Sequence, residues 1–507
     1  MKLGLLCASA GIQCPTSAAE VEIEGIAIDS RDAVAGGMFV CIRGFHTDGH
    51  AFVSRAVKKG VSCVLTEKHA DAVVPHGVIR LETKNTRRAA AYLFDAWYGF
   101  PTRHMKLIGV TGTNGKTSVT HMIRAVLEAS FVRCGMIGTL GCESSVRTYD
   151  TSPKNKLANL TTPDPPQLYK AFAEMAKDGV EYVVMEVSSH ALALDKVAPL
   201  TFEVGIFTNL TPEHLDLHES MEAYADAKAK LFEKSRLSII HSDSAFSHRM
   251  IEHAANRILT CSAACVADYT AERCVSNTEG VAFDLCSHSS RIHLACPIAG
   301  RFTVLNCMQA AICCIELGVP IKTVKAALAS IAGIKGRMER VRLGLGADFS
   351  VLIDYAHTPD ALEKLLCTAK ELRAERGRIV LVFGCGGDRD KSKRAVMGRI
   401  ASHYADYVIV TSDNARSEEP EAIIRDILKG IEKDRPYRVI ADRREAIRYA
   451  VGNAQSKDLI LLAGKGHEEY ELIHNERLPF CEREIVWQAF EARQPKNQDT
   501  DCTESDA

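Results

Sequence analysis

Short runs of apolar residues alternate with amphipathic stretches along most of the chain. Within the first hundred residues, the runs at 25–31, 38–42 and 61–66 predict strands, and the spacing of apolar residues over 50–59 predicts a helix. Strands and helices that alternate at this spacing are typical of an α/β unit with its own small core.

The same alternation continues through the middle of the chain. The run at 107–110 predicts a buried strand, which is followed by a glycine-rich turn and a helix over about 116–130, and the runs at 182–185 and 204–207 predict further strands. Strands that alternate with helices predict a mostly parallel sheet, in which functional residues lie at the carboxyl ends of the strands.

A third region with this pattern begins near Arg340. Apolar runs at 351–353, 379–383, 407–410 and 459–462 predict strands, and each is followed by polar or glycine-rich residues and then by a helical pattern. This arrangement is typical of a doubly wound, Rossmann-like sheet.

We therefore predict an α/β protein with three domains, comprising residues 1–104, 105–339 and 340–493. The middle domain is expected to be built on a mostly parallel sheet of the P-loop type, and the C-terminal domain on a doubly wound sheet. A length of 507 residues agrees with this number of domains, at about 150 residues each. Residues 494–507 are polar and acidic, and we expect a disordered tail.

The composition excludes several classes of protein. Hydrophobic residues make up 46% and charged residues 25%, as in ordinary globular domains. Lys plus Arg number 62 and Asp plus Glu 64, so no overall charge attracts nucleic acid or an anionic membrane. No apolar run reaches the roughly 18 residues of a membrane span, and the apolar start is too short for a signal peptide. We expect a cytoplasmic protein whose 18 cysteines are mostly reduced packing residues.

The segment T-G-T-N-G-K-T-S, residues 111–118, carries the clearest chemical signal. It follows a predicted strand and opens a helix, whose N-terminus favours phosphate. Lys116 can bridge outer phosphates and the Thr117 hydroxyl can bind Mg²⁺. Because Val110 stands where the longer P-loop pattern has its first glycine, a plain glycine-rich turn is the alternative. The candidate ATP-binding residues here are Gly112, Thr113, Asn114, Gly115, Lys116, Thr117 and Ser118.

Three further residues occur in positions that can carry chemistry. Glu186 directly follows a predicted strand, where it can reach the same Mg²⁺ or cap the next helix. His214 follows another strand and can bind a second metal ion, although a lone histidine is more often structural. Lys228 lies in a helical pattern, which by itself predicts a solvent-exposed lysine.

These segments resemble, in their order along the chain, the Mur ligase family, whose members form amide bonds in the cytoplasmic steps of peptidoglycan synthesis. The resemblance covers about residues 20–490. It rests on the loop at 111–117, E-V-S-S-H from 186, N-L-T-x-x-H-L-D from 209, Y-x-x-A-K-x-x-L-F from 224 and D-Y-A-H-T-P from 354. Within the family, the chain is most similar to the members that add the third residue of the stem peptide.

The resemblance implies a reaction and a set of residues. ATP would activate UDP-N-acetylmuramoyl-L-alanyl-D-glutamate as an acyl phosphate, which an amino acid then attacks. The implied catalytic residues are Lys116, Glu186, His214 and Lys228. The implied magnesium ligands are Thr117, Glu186, His214 and Lys228, the last as carbamylated N6-carboxylysine. Further ATP contacts are implied for Arg337, Asp354, Tyr355 and His357, and contacts to the UDP-sugar peptide for Ser30, Thr161, Thr162, Ser188 and Lys196.

The resemblance also assigns a task to each domain. The N-terminal domain would bind the UDP-sugar, the middle domain ATP, and the C-terminal domain the amino acid. The protein is expected to act as a monomer. Folylpolyglutamate synthase shares the ATPase core and is a less favoured alternative, because that family lacks the UDP-binding front domain. A non-catalytic nucleotide-binding protein is disfavoured, since Lys116, Glu186 and Lys228 are all present.

The choice of amino acid depends on the segment D-N-A-R, residues 413–416. It resembles the D-N-P-R motif of members that add meso-diaminopimelate, in which the arginine pairs with the distal carboxylate. The candidate amino-acid-binding residues are Arg389, Asp413, Asn414, Ala415, Arg416, Gly464 and Glu468. Ala415 replaces the proline and leaves φ freer, and Arg416 could instead pair with Glu418 or Glu419. We favour meso-diaminopimelate, with L-lysine or L-ornithine as alternatives.

Overall fold

The computed structural model describes residues 1–44, 47–68, 70–151, 160–277, 279–344, 346–474 and 476–493. The predicted tail, 494–507, lies outside these residues. The chain divides into two compact units. The first comprises Met1–Arg273, Phe283–Leu294 and Val304–Ala329, and the second comprises Cys274–Ala282, Ala295–Thr303 and the chain from Ser330 onward.

The first unit begins with a parallel four-stranded sheet in the order β1-β2-β3-β4. Its strands are β1 (Ile26–Ala27), β2 (Met38–Val40), β3 (Cys63–Glu67) and β4 (Ile79–Thr83), and its helices are α1 (Leu3–Ser9), α2 (Val53–Lys58) and α3 (Thr86–Trp97). The apolar start of the chain is helix α1, which buries Leu3 and Leu6 in the core of this part. Strand β1 is shorter than the pattern predicts, because Arg31 N donates to Asp29 Oδ1 (2.8 Å) in a turn.

A larger sheet forms the middle of the chain. Its strands are β5 (Lys106–Thr111), β6 (Cys134–Gly138), β7 (Gly141–Ser144), β8 (Thr148–Tyr149), β9 (Tyr182–Glu186), β10 (Phe202–Phe207), β11 (Ser235–His241), β12 (Arg257–Ser262), β13 (Tyr269–Asn277), β14 (Gly280–Ser287) and β15 (Arg291–Cys296). From β13 the order is β13-β12-β11-β10-β5-β9-β6-β7-β8. The pairs from β13 to β6 are parallel, and β7 and β8 add an antiparallel edge.

The helices that accompany this sheet follow the predicted alternation. They are α4 (Lys116–Ala129), α5 (Pro165–Lys177), α6 (Ser189–Ala193), α7 (Leu215–His218), α8 (Met221–Ala229), α9 (Ser247–His253), α10 (Phe302–Glu316) and α11 (Ile321–Ala329). Because β10, β5 and β9 are parallel neighbours, their carboxyl ends meet at one edge of the sheet. That edge receives the loop after β5 and the residue that ends β9, so it is the place where the predicted catalytic groups can meet.

The second unit confirms the predicted doubly wound sheet. Its order is β16-β17-β21-β18-β19-β20, with β16 antiparallel and the other strands parallel. The strands are β16 (Glu339–Val341), β17 (Ser350–Asp354), β18 (Ile379–Phe383), β19 (Tyr407–Val410), β20 (Tyr437–Val439) and β21 (Leu459–Ala463), and the helices are α12 (Pro359–Leu372), α13 (Ser392–Tyr404), α14 (Pro420–Leu428), α15 (Arg443–Gly452) and α16 (Glu482–Arg493).

One connection of this unit differs from the sequence pattern. After β21 the chain does not pass directly to a helix, but first forms the antiparallel hairpin β22 (Tyr470–Ile473) and β23 (Glu476–Pro479). The residues of β23 are all exposed, so no alternation of apolar and polar positions marks this strand in the sequence.

Two expectations from composition can be compared with the structure. Among the described residues, no helix combines the length and apolarity needed to cross a membrane. The cysteines in the described part of the chain carry free thiols, and most of them are buried. Burial raises the pKa of the Cys385 thiol, in the loop after β18, to about 12. The thiol is therefore protonated at neutral pH, as a packing residue would be.

Candidate active site

The loop between β5 and α4 requires glycine at two positions. Gly112 has φ +147°, and a Cβ there would lie 1.9 Å from Thr208 Oγ1. Gly115, which precedes the first residue of α4, has φ +88°, and its Cβ would lie 2.7 Å from Asn306 Oδ1. Only glycine combines this conformation with so close an approach. The two glycines of the motif therefore set the path of the loop at the helix N-terminus.

The segment after β10 holds this loop in place. Thr113 N donates to Asn209 O (2.9 Å), and Asn114 N donates to Asn209 Oδ1 (3.0 Å). The Thr113 hydroxyl donates to Thr211 O (3.2 Å), and Thr211 N donates back to that hydroxyl (3.0 Å). The motif that begins at Asn209 thus positions the glycine loop through both backbone and side-chain bonds.

Replacing Gly112 by alanine is expected to damage the site more than the same change at Gly141. Both positions have φ in the left-handed region, but nothing lies within 4 Å of a Cβ at Gly141. Backbone strain of about 1–3 kcal/mol is expected in both variants, whereas the clash adds about 1–3 kcal/mol only in Gly112→Ala. Thermal unfolding and affinity for an ATP analogue would measure the difference. Equal losses in the two variants would contradict the tight approach at Gly112.

Two lysines converge on one carbonyl of the loop. Lys116 Nζ donates to Gly112 O (2.9 Å) and Thr113 O (2.8 Å), and Lys228 Nζ donates to Gly112 O (2.9 Å). Lys228 is 1% exposed, so the exposed lysine that its local pattern predicts is not what the fold produces. Burial, followed by the nearby charge of Lys116, lowers the pKa of Lys228 well below its ordinary value, against the opposing charge of Glu213.

Glu186 ends β9 beside the same loop. It is 1% exposed, and its Oε1 accepts from Thr117 Oγ1 (3.0 Å) and Thr139 N (2.9 Å), while Oε2 accepts from Thr139 Oγ1 (3.1 Å). The helix that follows is capped by Ser188, whose hydroxyl accepts from Ala191 N (3.2 Å). Glu186 is therefore not the helix cap, and its carboxylate faces Thr117. Thr139 is a site residue that the motifs did not indicate.

His214 borders the site through aromatic contacts. It precedes α7 with a left-handed backbone (φ +56°), and its ring meets that of His190 edge-on at 4.7 Å. Its Nε2 lies 3.8 Å from Glu213 Oε2. The Tyr224 ring lies 6.4 Å from the His214 ring and 4.5 Å from Lys228 Nζ. His214 and Lys228 thus face one tyrosine from two elements of the chain.

Three candidates for the UDP-sugar peptide lie close to Glu186, and a fourth, Lys196, donates to Thr162 O (3.5 Å). Thr162 Oγ1 donates to the carbonyl of Glu186 (2.8 Å) and accepts from Ser188 N (3.0 Å). Lys196 Nζ pairs with Asp164 Oδ1 at 2.8 Å, a partner that the sequence did not indicate. Thr161 contacts Thr139 through their hydroxyl groups (3.2 Å). The fifth candidate, Ser30, is buried after β1 in the N-terminal sheet.

In the second unit, the four candidates for further ATP contacts form one cluster. Asp354 ends β17, and its carboxylate accepts from Met338 N (2.8 Å) and Ala356 N (2.9 Å). The Arg337 guanidinium lies 4.7 Å from the centre of the Tyr355 ring, and that ring lies 4.6 Å from the ring of His357. Burial raises the pKa of Asp354, with the charge of Arg337 opposing the shift.

The side chain of Asn414 is held by three hydrogen bonds. Its Oδ1 accepts from Lys465 Nζ (3.0 Å) and Leu472 N (2.9 Å), and its Nδ2 donates to Glu468 Oε2 (2.7 Å). Lys465 is fully buried and also lies 3.6 Å from Asp413 Oδ1. The sequence motifs did not indicate a role for this lysine. Burial, and then the charge of Asp413, raises the pKa of Glu468.

Arg416 is fixed by its backbone and by its guanidinium. Its φ is +54°, its N–H donates to Leu472 O (2.9 Å), and its carbonyl accepts from His474 N (2.7 Å). Its Nη1 donates to Gly387 O (2.7 Å). Within the described residues, Arg416 forms no ion pair with Glu418 or Glu419. The alternative that it merely neutralises a neighbouring glutamate therefore has no support in the structure.

The remaining amino-acid candidates surround these residues. Ala415 is 1% exposed, and Arg389 is exposed, with Nη1 donating to Asp388 O (3.4 Å). Gly464 has φ +117°, and a Cβ there would lie 2.7 Å from Asp413 Oδ2. The fold thus brings the predicted residues after β18, β19 and β21 to one edge of the sheet.

Comparison with known proteins places the chain in a family. Residues 22–98, 110–314 and 336–466 match, respectively, the Mur ligase family catalytic domain, the Mur ligase middle domain and the Mur ligase glutamate ligase domain. The UDP-N-acetylmuramoyl-L-alanyl-D-glutamate–2,6-diaminopimelate ligase of Caldanaerobacter subterraneus subsp. tengcongensis is 44% identical over 92% of this chain and 94% of the relative. Ligase 1 of that name from Clostridium acetobutylicum is 42% identical over the same shares.

Solved structures agree with this placement. A ligase of the same name superposes with a TM-score of 0.67 at 30% identity, and the match covers 97% of this chain and 99% of that chain. A folylpolyglutamate synthase from Mycobacterium tuberculosis shares the fold, with a TM-score of 0.61 at 21% identity, over 75% of this chain and 92% of that one.

The geometry and the comparisons agree on the class of protein. A glycine loop at a helix N-terminus suits phosphate binding, a buried carboxylate lies beside that loop, and the similar proteins are ligases by name. The protein is therefore an ATP-dependent ligase that forms an amide bond. More particularly, the chain belongs to the Mur ligase family.

Proposed function

We propose that this ligase joins meso-diaminopimelate to UDP-N-acetylmuramoyl-L-alanyl-D-glutamate, converting ATP to ADP and phosphate. The observation that carries the proposal is the similarity to relatives named for this reaction, which are 38–44% identical over 92–93% of the chain. The position of Arg416, in the loop after β19 and beside the loop after β18 that carries Arg389, supports it further. L-lysine and L-ornithine lack the distal carboxylate that a guanidinium can bind in a bidentate manner.

The proposed reaction has two steps. The D-glutamyl carboxylate attacks the γ-phosphorus of ATP, which forms an acyl phosphate and releases ADP. The neutral amine of the amino acid then attacks the acyl carbon, phosphate leaves, and the amine loses a proton to form the amide. Such phosphoryl transfer depends mainly on positioning and charge neutralisation. Lys116 and the N-terminus of α4 are the groups of this chain that we assign to the phosphates.

The residues beside the loop fit a bound Mg²⁺. The donors to the buried Glu186 carboxylate, Thr117 and Thr139, are uncharged, so its negative charge suits a cation. We assign Thr117, Glu186, His214 and modified Lys228 to hold Mg²⁺, which when bound neutralises phosphate charge. No group of three His, Cys, Asp or Glu side chains in the described residues could hold a metal ion. A carbamate on Lys228 would add a second carboxylate to the residues that we assign to Mg²⁺.

We assign that modification to Lys228 because its surroundings favour a neutral amine. Its burial and the neighbouring Lys116 both disfavour the ammonium form. A neutral amine adds to CO₂, forms an N–C bond and releases a proton, which leaves a carbamate with one negative charge. The change replaces a neutral amine next to Lys116 with an anion that could help to hold a metal ion.

Amino-acid-dependent phosphate release tests the proposed function. The protein, with ATP, Mg²⁺ and UDP-N-acetylmuramoyl-L-alanyl-D-glutamate, is expected to release phosphate when meso-diaminopimelate is added, and much more slowly with L-lysine or L-ornithine. Turnover with lysine or ornithine but none with diaminopimelate would refute the substrate. Turnover that does not need the UDP-linked dipeptide would refute the reaction.

We further propose that the enzyme works as a cytoplasmic monomer. ATP and UDP-linked sugars are substrates of the cytoplasm. Light scattering of the purified protein would check the oligomeric state.

A further inference from the structure

Two loops carry the arginines assigned to the amino acid. They leave the carboxyl ends of the paired parallel strands β18 and β19, whose last residues are in register. Residues 384–391, after β18, include Arg389, and residues 411–419, after β19, include Arg416. Loops at neighbouring strand ends can move independently unless side chains connect them. The contacts between these loops therefore determine how well both arginines are positioned.

Several hydrogen bonds connect the loops directly. Gly387 N donates to Asn414 O (2.9 Å), and the guanidinium of Arg416 donates to Gly387 O (2.7 Å). Asp388 accepts from Ser417 Oγ (2.6 Å) and Ser417 N (3.2 Å). The approach is close, since a Cβ on Gly387 would lie 1.9 Å from Ala415 O. These bonds fix the loops at their tips.

An ion pair between a buried arginine and a partly buried glutamate adds to those bonds. Arg394, on α13, is 1% exposed, and its Nη1 and Nη2 donate to Glu418 Oε2 (3.0 Å) and Oε1 (2.8 Å). Glu418 Oε1 also accepts from Asp388 N (2.7 Å), and Arg394 Nη1 donates to Asp426 (3.0 Å). The hydrogen bond from Arg394 lowers the pKa of Glu418 to about 2, so the carboxylate is ionised at neutral pH.

The ion pair of Arg394 and Glu418 restrains the loop after β19, in which the backbone at Ala415 is less restricted than a proline would be. The φ of Arg416 is +54°, a backbone conformation that is unfavourable in free energy for any residue that has a side chain. The preceding residue, Ala415, does not restrict its own φ as a proline would. The backbone must be held by its surroundings to keep Arg416 in that conformation. Glu418 lies two residues away and is anchored in two hydrogen bonds by the rigid fork of a buried guanidinium.

We propose that Arg394 and Glu418 form a positioning pair for the amino-acid site, which holds the loops after β18 and β19 so that Arg389 and Arg416 bind the amino acid together. Neither residue of the pair is assigned to touch the substrate. The proposal rests on the proposed function, because it assumes that these two arginines bind the amino acid that is ligated.

Kinetics of Glu418→Gln and Arg394→Lys test the pair. Glutamine keeps the size of the side chain but removes the charge, and lysine keeps the charge but removes the fork. We expect the KM for meso-diaminopimelate to rise by about tenfold to a hundredfold, since a small misplacement of binding groups has effects of this size. The KM for ATP is expected to change less than about threefold. An unchanged KM for the amino acid in both variants would overturn the proposal.

Asp458→Asn provides a matched control. Asp458 is buried and accepts two bonds from the side chain of the partly exposed Arg378, at 3.0 Å and 2.6 Å. This pair lies at the opposite, amino-terminal edge of the same sheet. This change should lower the melting temperature without raising the KM for the amino acid. A rise in that KM equal to the rise in Glu418→Gln would show that general destabilisation is the cause, and would overturn the positioning role.

The double variant Arg416→Ala with Glu418→Gln tests whether Glu418 acts on the amino-acid site through Arg416. If Glu418 acts through Arg416, the second change should add little to the KM effect of the first, because interacting residues are not additive. A full additional rise would overturn the pair as a positioning device for Arg416. Failure of the proposed function is distinct, because it would appear in the wild-type enzyme as absent turnover with diaminopimelate. If the wild-type enzyme uses a different amino acid, the KM of the variants is measured for that amino acid instead of diaminopimelate.

Discussion

Lys228→Ala is expected to reduce ligase turnover by at least about 100-fold, the size of effect seen when a preorganised charged or polar group is removed from a reacting centre. Lys228 is buried, donates to Gly112 O (2.9 Å) and lies next to Lys116. Alanine cannot form a carbamate, so added bicarbonate should not restore the variant. Amino-acid-dependent phosphate release is the measurement.

Lys230→Ala is the control for this result. Lys230 follows the same helix, α8, but is exposed, and its loss should leave turnover close to that of the wild type. Because a change at a buried site can unfold the protein, wild-type enzyme should also be compared in CO₂-depleted and bicarbonate-supplemented buffer. Turnover should fall on depletion and recover on supplementation. Full activity of Lys228→Ala, or no response to CO₂, would contradict the carbamate.

Arg416→Ala is expected to lower kcat/KM for meso-diaminopimelate by about 10- to 100-fold, because a hydrogen bond to a charged group contributes about 1.5–3 kcal/mol. The guanidinium donates to Gly387 O (2.7 Å) in a loop that the hairpin of β22 and β23 supports. Arg416→Lys should fall between wild type and alanine, because lysine keeps the charge but cannot form two parallel bonds. Steady-state kinetics with varied diaminopimelate would measure both.

Arg425→Ala offers the comparison for that variant. Arg425 is exposed on α14, and its Nε donates to Glu421 O (3.3 Å) of the same helix. Its removal should change neither the KM for diaminopimelate nor the KM for ATP. If Arg416→Ala behaves like Arg425→Ala, the arginine of the D-N-A-R segment does not bind the substrate, and the choice of amino acid must depend on other residues.

The sequence predicted the elements well where local chemistry decides them. The glycine loop could be recognised because Gly112 and Gly115 need backbone conformations that other residues avoid. The strands that end at Glu186 and Phe383 could be predicted because strands buried on both faces are continuous apolar runs. The hairpin of β22 and β23 was not predicted, since its exposed second strand has no hydrophobic pattern.

The partners of the long polar side chains could not be read from the sequence. Lys228 lies 116 residues from the carbonyl it binds, and Asn414 binds Lys465 and Glu468 more than 50 residues away. The spacing of apolar residues predicts that Lys228 is on a helix, but it does not predict that the side chain is buried. Its burial depends on the residues that α8 packs against, which are distant along the chain.

The amino-acid sequence by itself determined the α/β class, the family and the position of each chemical motif at a strand end or helix start. The class and the motif positions follow from backbone conformation and hydrophobic periodicity, which act over a few residues, whereas the family is indicated by the order of the motifs along the chain. The tertiary structure alone decided that Lys228 is buried beside Lys116, that Glu186 faces Thr117 instead of capping α6, and that Glu418 binds Arg394 rather than Arg416. Burial and charge pairing depend on which distant segments the fold brings together, and the local spacing of residues does not predict these long-range contacts.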